Sequence, residues 1–444
     1  MIDKQITDFN ESLLALRDFV TLIDPFLSEK VDEHNKHVSP LIASALVDEL
    51  ITNGNLTEGE ELDKFIAAQS RINEDIQTLY SDIPSATVQK IDEDGDGKRS
   101  LTIQIKSKDQ VIGKHIDNLK KTRKHIDLLY TNALISTLSS VEWFFSQLLH
   151  LFYDKYPDSA GIDKRSISLI ELKSFETIRD AEKHLIDLKI EEIIRGNFES
   201  WIALLKSDLK LGLGYLNDIN DELVEIYQRR NLLVHNGGII NSIYYSKVNP
   251  KNRTGLQIGQ KLKINKEYLD NSINKLQKSF ILIGAELWKK VESDNTNRSE
   301  ILTDIVYENL LYSRWDLAEG LCYFILKDPV TSPVDKAIAQ LNYWLCQKEK
   351  GNYKTIESEL KKADYSDKKE IFQLGLYALR NEIEEFFKIL PIALDSKQIN
   401  IERLEEFPIM RKVRETIQYQ EFKENSKYFK QEDSVVIRPN SVEK

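Results

Sequence analysis

Cysteine is nearly absent: the 444-residue chain has only Cys322 and Cys346, 24 positions apart and without a partner motif. That excludes a disulfide scaffold and a cysteine-based zinc site, and fits buried thiols in a reducing compartment. Glycine and proline are scarce at 17 and 10. With 41% hydrophobic residues, this excludes collagen-like and disordered classes and favours packed helices. No apolar run is long enough for a bilayer span of about 20 residues; the most apolar stretch, 143–153, is interrupted by Ser146, Gln147 and His150. The opening MIDKQITDFN has no apolar core and does not read as a secretory signal. A soluble, cytoplasmic protein without membrane contact is expected. Positive charge is in deficit, 61 Lys and Arg against 72 Asp and Glu for a net −11, so a generic nucleic-acid coat is excluded and any RNA contact must be local. The Gly-x-x-x-x-Gly-Lys-Ser/Thr loop, the Gly-x-Ser-x-Gly elbow, Cys-x-x-Cys and His-Glu-x-x-His are all missing. Phosphate-loop ATP hydrolysis, serine hydrolysis and zinc catalysis therefore lack support, and neither metal nor cofactor is expected.

What is present is helical. The length predicts two to three domains. In residues 1–110, Leu13, Leu14, Leu16, Phe19, Val20 and Ile23 recur at helical spacing, and a second run covers 41–51. Alternating residues at 86–91 and 101–105 around the turn-rich 92–97 predict a β-hairpin set into this region. Asp92, Asp94 and Asp96 before Gly97 copy half a calcium loop, but Arg99 at position eight and Ile103 at position twelve break the pattern, so a solvated turn is favoured. From 111 to 153 one long helix, or two joined, is expected; further helices are expected at 172–195, 198–209, 221–235 and 266–291. A short strand pair is expected at 239–245 and 260–264.

Residues 292–300 read as a linker, after which apolar stripes begin near Ile301, Trp315, Asp335, Tyr353, Asp367 and Glu382. Gly351-Asn-Tyr353 sits where a tetratricopeptide repeat places the turn between its helices. Residues 300–425 thus resemble degenerate tetratricopeptide-like repeats, which implies a surface for a protein or peptide trigger. Residues 426–444 read as a tail.

Two segments pair a permanent cation with a histidine five positions on: Arg179 with His184, and Arg230 with His235. Spacing alone is weak, and context separates them. The second lies in Glu225-Ile-Tyr-Gln-Arg-Arg-Asn-Leu-Leu-Val-His235-Asn-Gly-Gly-Ile-Ile-Asn241. Gly237 and Gly238 end its helix just past His235, where the dipole favours a cation. Arg230 and His235 stand about 140° apart on an ideal helix and converge better across a cleft, whereas Asn231 shares the face of His235 and can orient it. The basic run Lys114, His115, Lys120, Lys121, Arg123, Lys124 and His125 is most simply a solvated helix face, with RNA guidance as the minority reading.

Arg230-Asn231, three further residues, His235 and the Asn-Gly-Gly-Ile exit resemble the catalytic motif of HEPN domains. The resemblance covers about residues 111–293. It includes Glu142 on an earlier helix, where that family often carries a glutamate facing the site, and the polar insertion and final helix after the motif. It implies an all-α fold: a HEPN helical bundle with small β-hairpin insertions, plus a C-terminal α-helical repeat domain. It further implies a homodimeric, metal-independent endoribonuclease of toxin or antiviral type, in which the 2′-hydroxyl attacks the phosphorus and two motifs face one composite cleft. His235 would move the proton and Arg230 would stabilise the phosphoryl charge. Asn231, Glu142, Asn236 and Arg229 would support them. RNA, tRNA included, is the implied substrate because DNA lacks the 2′-hydroxyl. The alternative is an inert HEPN dimerisation scaffold whose repeats bind a peptide or protein.

Overall fold

The computed structural model describes residues 2–53, 60–80, 85–93, 99–106, 110–162 and 165–429. The chain is all-α in class. Its frame is three long helices: α1 (Ile2–Asn53), α3 (Gln110–Lys155) and α9 (Lys266–Val291). α1 passes unbroken through Pro25 and Pro40, so the two helical runs legible in its sequence are one element. Between α1 and α3 lie α2 (Glu60–Leu79) and an antiparallel pair, β1 (Ser85–Glu93) with β2 (Arg99–Lys106), in which Ala86 stands opposite Ile105 and Ile91 opposite Leu101. The segment 94–98 of the acidic turn lies outside the described residues.

Helical spacing decides what α1 buries. Ile2, Ile6, Phe9, Leu13 and Val20 form a stripe against Leu138, Val141, Phe144 and Phe145 of α3 and against Phe280 of α9. Each such side chain removed from water contributes about 1.5–3 kcal/mol. Phe9 stacks on Phe144 with ring centroids 4.3 Å apart. α9 presents Gly284 at this seam, where a Cβ would lie 3.0 Å from the Phe144 ring and 3.1 Å from Ile6. A side chain here would force the helices apart.

Between α3 and α9 the chain makes α4 (Leu169–Leu172), α5 (Ile178–Ile194), α6 (Phe198–Ala203), α7 (Asn220–His235) and α8 (Ser242–Lys247). The expected helix from 172 is shorter because Thr177 Oγ1 accepts from Asp180 N while the Asp180 carboxylate accepts from Thr177 N, a capping box that starts α5 at Ile178. The expected strand pair at 239–245 and 260–264 is a correction: only Ile239 bridges Lys261. The Asn241 side chain accepts from Tyr244 N and turns the following residues into α8.

After α9 come paired helices: α10 (Asn297–Leu311), α11 (Trp315–Lys327), α12 (Pro333–Glu349), α13 (Tyr353–Lys362), α14 (Glu370–Arg380) and α15 (Ile383–Asp395). One hydrophobic cluster runs from Ile2 to Leu379, so packing is continuous across the sequence-based boundaries near 110 and 295. Buried polar groups also cross them. Asn10 of α1 accepts from Gln277 of α9 at 2.8 Å and donates to Glu308 of α10 at 2.7 Å. Within the expected linker region, Arg298 is fully buried and paired with Asp328 at 2.6 Å. Cys322 and Cys346 are both free and buried, and burial pushes both thiols up. Among the described residues no helix is long and apolar enough to cross a membrane.

Candidate active site

α7 carries the site, and its sequence sorts its faces. Leu223, Ile226 and Tyr227 are buried, Arg230 is partly covered, and Asn231, Val234 and His235 are open to solvent. Its end is built as the glycines require. Gly238 N and Asn236 N both donate to Leu232 O, and Gly237 and Gly238 take φ of +59° and +81°, a region costly for any other L-residue. The exit strap is then tied down, with Leu262 N donating to Gly238 O at 2.8 Å and Asn236 Nδ2 to Ile239 O at 2.5 Å.

Two adjacent arginines have opposite fates. Arg229 faces inward, and its Nε donates to Glu225 Oε1 at 2.7 Å. Its guanidinium lies 3.9 Å from the ring centre of Tyr268. The buried Glu225 carboxylate also accepts from the hydroxyls of Tyr244 at 2.7 Å and Tyr268 at 2.6 Å. This satisfied network, with Arg229 as a member, ties α7 to α8 and α9. Arg230 faces outward. Its Nη2 lies 3.3 Å from Glu142 Oε1 of α3, and its Nη1 donates to Asn231 Oδ1 at 3.3 Å.

Arg230, Asn231, His235, Asn236 and Glu142 all line one open cleft of about 610 Å³. On α7 Asn231 lies between the other two, about 100° from Arg230 and 40° from His235, so a broad cleft centred on Asn231 reaches both despite their separation. Asn231 is engaged by Arg230, and no hydrogen bond from Asn231 to the imidazole is present. Arg229 lies outside this lining.

The remaining walls come from the chain before α7 and after it. Asn197, Phe198 and Trp201, from α6 and its cap, and Asn241, Ile243, Tyr244 and Lys247, from α8 and its cap, complete the lining. Asn197 opens a capping box with Ser200, and that pattern is readable in sequence; Lys247 belongs to no motif. At the base, Tyr227 packs on Phe198 with centroids 4.9 Å apart. The Tyr227 hydroxyl and Arg230 Nε are both buried without a hydrogen-bond partner.

Electrostatics follow from this burial. Glu142 is about one-quarter exposed; burial holds its carboxyl above the ordinary value, and Arg230 offsets that only in part. Burial and the Glu142 charge together keep the Tyr227 hydroxyl protonated far beyond neutral pH. The cleft therefore holds an imidazole, a guanidinium and a single carboxylate, with the Tyr227 hydroxyl and Arg230 Nε buried behind its surface. Such a set can move a proton and stabilise negative charge on oxygen. Among the described residues no group of three His, Cys, Asp or Glu side chains is arranged to hold a metal ion.

The other sequence candidates lie elsewhere. Arg179 is exposed on α5, with His184 against Phe175, and neither lines the cleft. Lys114, Lys120, Lys121, Arg123 and Lys124 are exposed on the first half of α3. Lys124 stands eighteen residues, about 27 Å along the helix, from Glu142. Comparison with protein-family models, with curated proteins and with solved structures finds no match for the chain.

Proposed function

We propose that the chain is a HEPN-type, metal-independent endoribonuclease that cleaves RNA by 2′-hydroxyl transesterification and acts as a regulated toxin or antiviral effector in homodimeric form. The observation that carries this reading is the sharing of one cleft by Arg230, Asn231, His235 and Glu142, which come from α7 and from a helix 88 positions earlier. In the reaction the 2′-oxygen loses its proton and bonds the phosphorus while the bond to the 5′-oxygen breaks and that oxygen gains a proton. His235, at the open end of α7, is the group suited to these transfers. Arg230 lines the same cleft, and its guanidinium would stabilise negative charge on a phosphoryl oxygen. Glu142 and Asn231 fix the guanidinium meanwhile. Val234 and Ile243, 45% and 59% exposed beside the cleft, supply an apolar rim for a second copy. The paired helices after α9 are the proposed surface for a protein or peptide trigger.

The test is incubation of total RNA and a tRNA pool with the purified chain in excess EDTA, beside His235→Ala and Arg230→Ala. Expected products carry 2′,3′-cyclic phosphate and 5′-hydroxyl ends, with activity about 10²–10⁴-fold lower in the His235 variant. Cleavage that needs a metal, or that survives loss of His235, refutes the reading.

A further inference from the structure

The cleft has more hydrogen-bond donors than its own residues use, and the excess is not confined to Arg230 and His235. Three cations line it. Arg230 is held by Glu142, and Arg195 is held by Glu191 at 2.8 Å. Lys247, the last residue of α8, has neither an ion pair nor a hydrogen bond among the described residues. The backbone that carries it is fixed, because α8 is anchored by the Tyr244 hydroxyl on Glu225 and ended by Val248 N on Tyr244 O.

Two asparagines at helix caps add to it, one before α6 and one before α8. Asn197 Oδ1 accepts from Ser200 N at 2.8 Å to cap α6, and Asn241 Oδ1 accepts from Tyr244 N at 2.9 Å to cap α8. Capping spends the oxygen of each amide and thereby fixes the plane of its NH2 group, which has no partner among the described residues. Both residues line the cleft. The walls thus offer one unneutralised ammonium and two preset amide donors, and the carboxylate on the floor is already engaged.

We infer that Lys247, with the side-chain amides of Asn197 and Asn241, binds a backbone phosphate of single-stranded RNA next to the scissile one, so that the strand runs from Arg230 and His235 toward α8. This assignment rests on the ribonuclease reading. An anionic diester fits a wall of donors, and a single lysine acting as a point charge suits a phosphate that is held but not transformed. Recognition here is of the backbone and independent of base identity.

The experiment measures binding of a labelled, fully 2′-O-methylated RNA, which cannot be cut through its 2′-oxygen, to the full chain across a salt series. Lys247→Ala should bind about tenfold more weakly, with the slope of log affinity against log salt smaller by about 0.7; Lys247→Arg should stay near wild type. Asn241→Asp and Asn197→Asp keep the cap acceptor and replace the donor with an anion. Each should weaken binding while leaving the melting temperature unchanged. Equal affinity and slope for wild type, Lys247→Ala and Asn241→Asp, or no RNA binding by the wild type, overturns the inference. Cleavage of unmodified RNA is scored in parallel: the binding pattern without cleavage keeps the phosphate site and counts against a nuclease active without its trigger, and cleavage with a flat binding pattern sinks this inference alone.

Discussion

Removing Arg230 should cost stability for a reason that pH can expose. Its guanidinium lies 3.3 Å from Glu142, with the two side chains 22% and 26% exposed. At an effective dielectric near 20 the attraction is about 5 kcal/mol, most of it offset by the desolvation of both charges. Burial already holds the Glu142 carboxyl above its ordinary 4.5, with Arg230 opposing. In Arg230→Ala that opposition vanishes, and the carboxylate is left half-dry and alone. Breaking a fully buried pair costs about 3–5 kcal/mol, so about 2 kcal/mol is expected for this partly exposed one at pH 7. The sign with pH follows from linkage: a carboxyl whose folded value lies above its unfolded value costs stability as pH rises through that interval, and the cost disappears below it. The Arg230→Ala deficit should therefore shrink between pH 7 and pH 4.5. Glu142→Gln should stay within about 1 kcal/mol of wild type, and the double variant should recover most of the loss. Urea unfolding of the four proteins at both pH values measures this. A deficit independent of pH, or a double variant no more stable than Arg230→Ala, refutes the account.

Two further outcomes test how the site is held. Glu225→Ala leaves Arg229 and two tyrosine hydroxyls without their shared acceptor, and should cost about 3–5 kcal/mol in denaturant unfolding; a loss below about 1 kcal/mol would show that the network does not anchor α8. Gly238→Ala should cost about 2 kcal/mol, since it adds a side chain at φ +81° with a Cβ 3.3 Å from Leu262 O. Gly237→Ala, at φ +59° with nothing within 4 Å, should cost about half that, and equal losses would contradict the close-approach argument.

The local architecture was legible because it rests on near neighbours. Helical spacing placed Leu13 and Val20 in the core, and the glycines after His235 located the end of α7. Pairing was less legible. The same stripe included Phe19, which is 54% exposed, while Ile2, Ile6 and Phe9 proved to be the deeper contacts. Short capping signals also outweighed strand-like composition after Gly238, where Asn241 makes a helix in place of a strand.

Sequence by itself determined that Arg230, Asn231 and His235 stand on one helix with a glycine exit, since a hydrogen-bonded turn and its cap involve residues at most a few positions apart. Only the tertiary structure decided which acid holds which arginine. Glu225 takes Arg229 within α7, whereas Glu142 reaches Arg230 from 88 positions away. Packing of α6 and α8 against α7 likewise decided that Asn197 and Lys247 share a cleft with them. Contacts at such separations depend on how whole helices pack, and no local spacing encodes them.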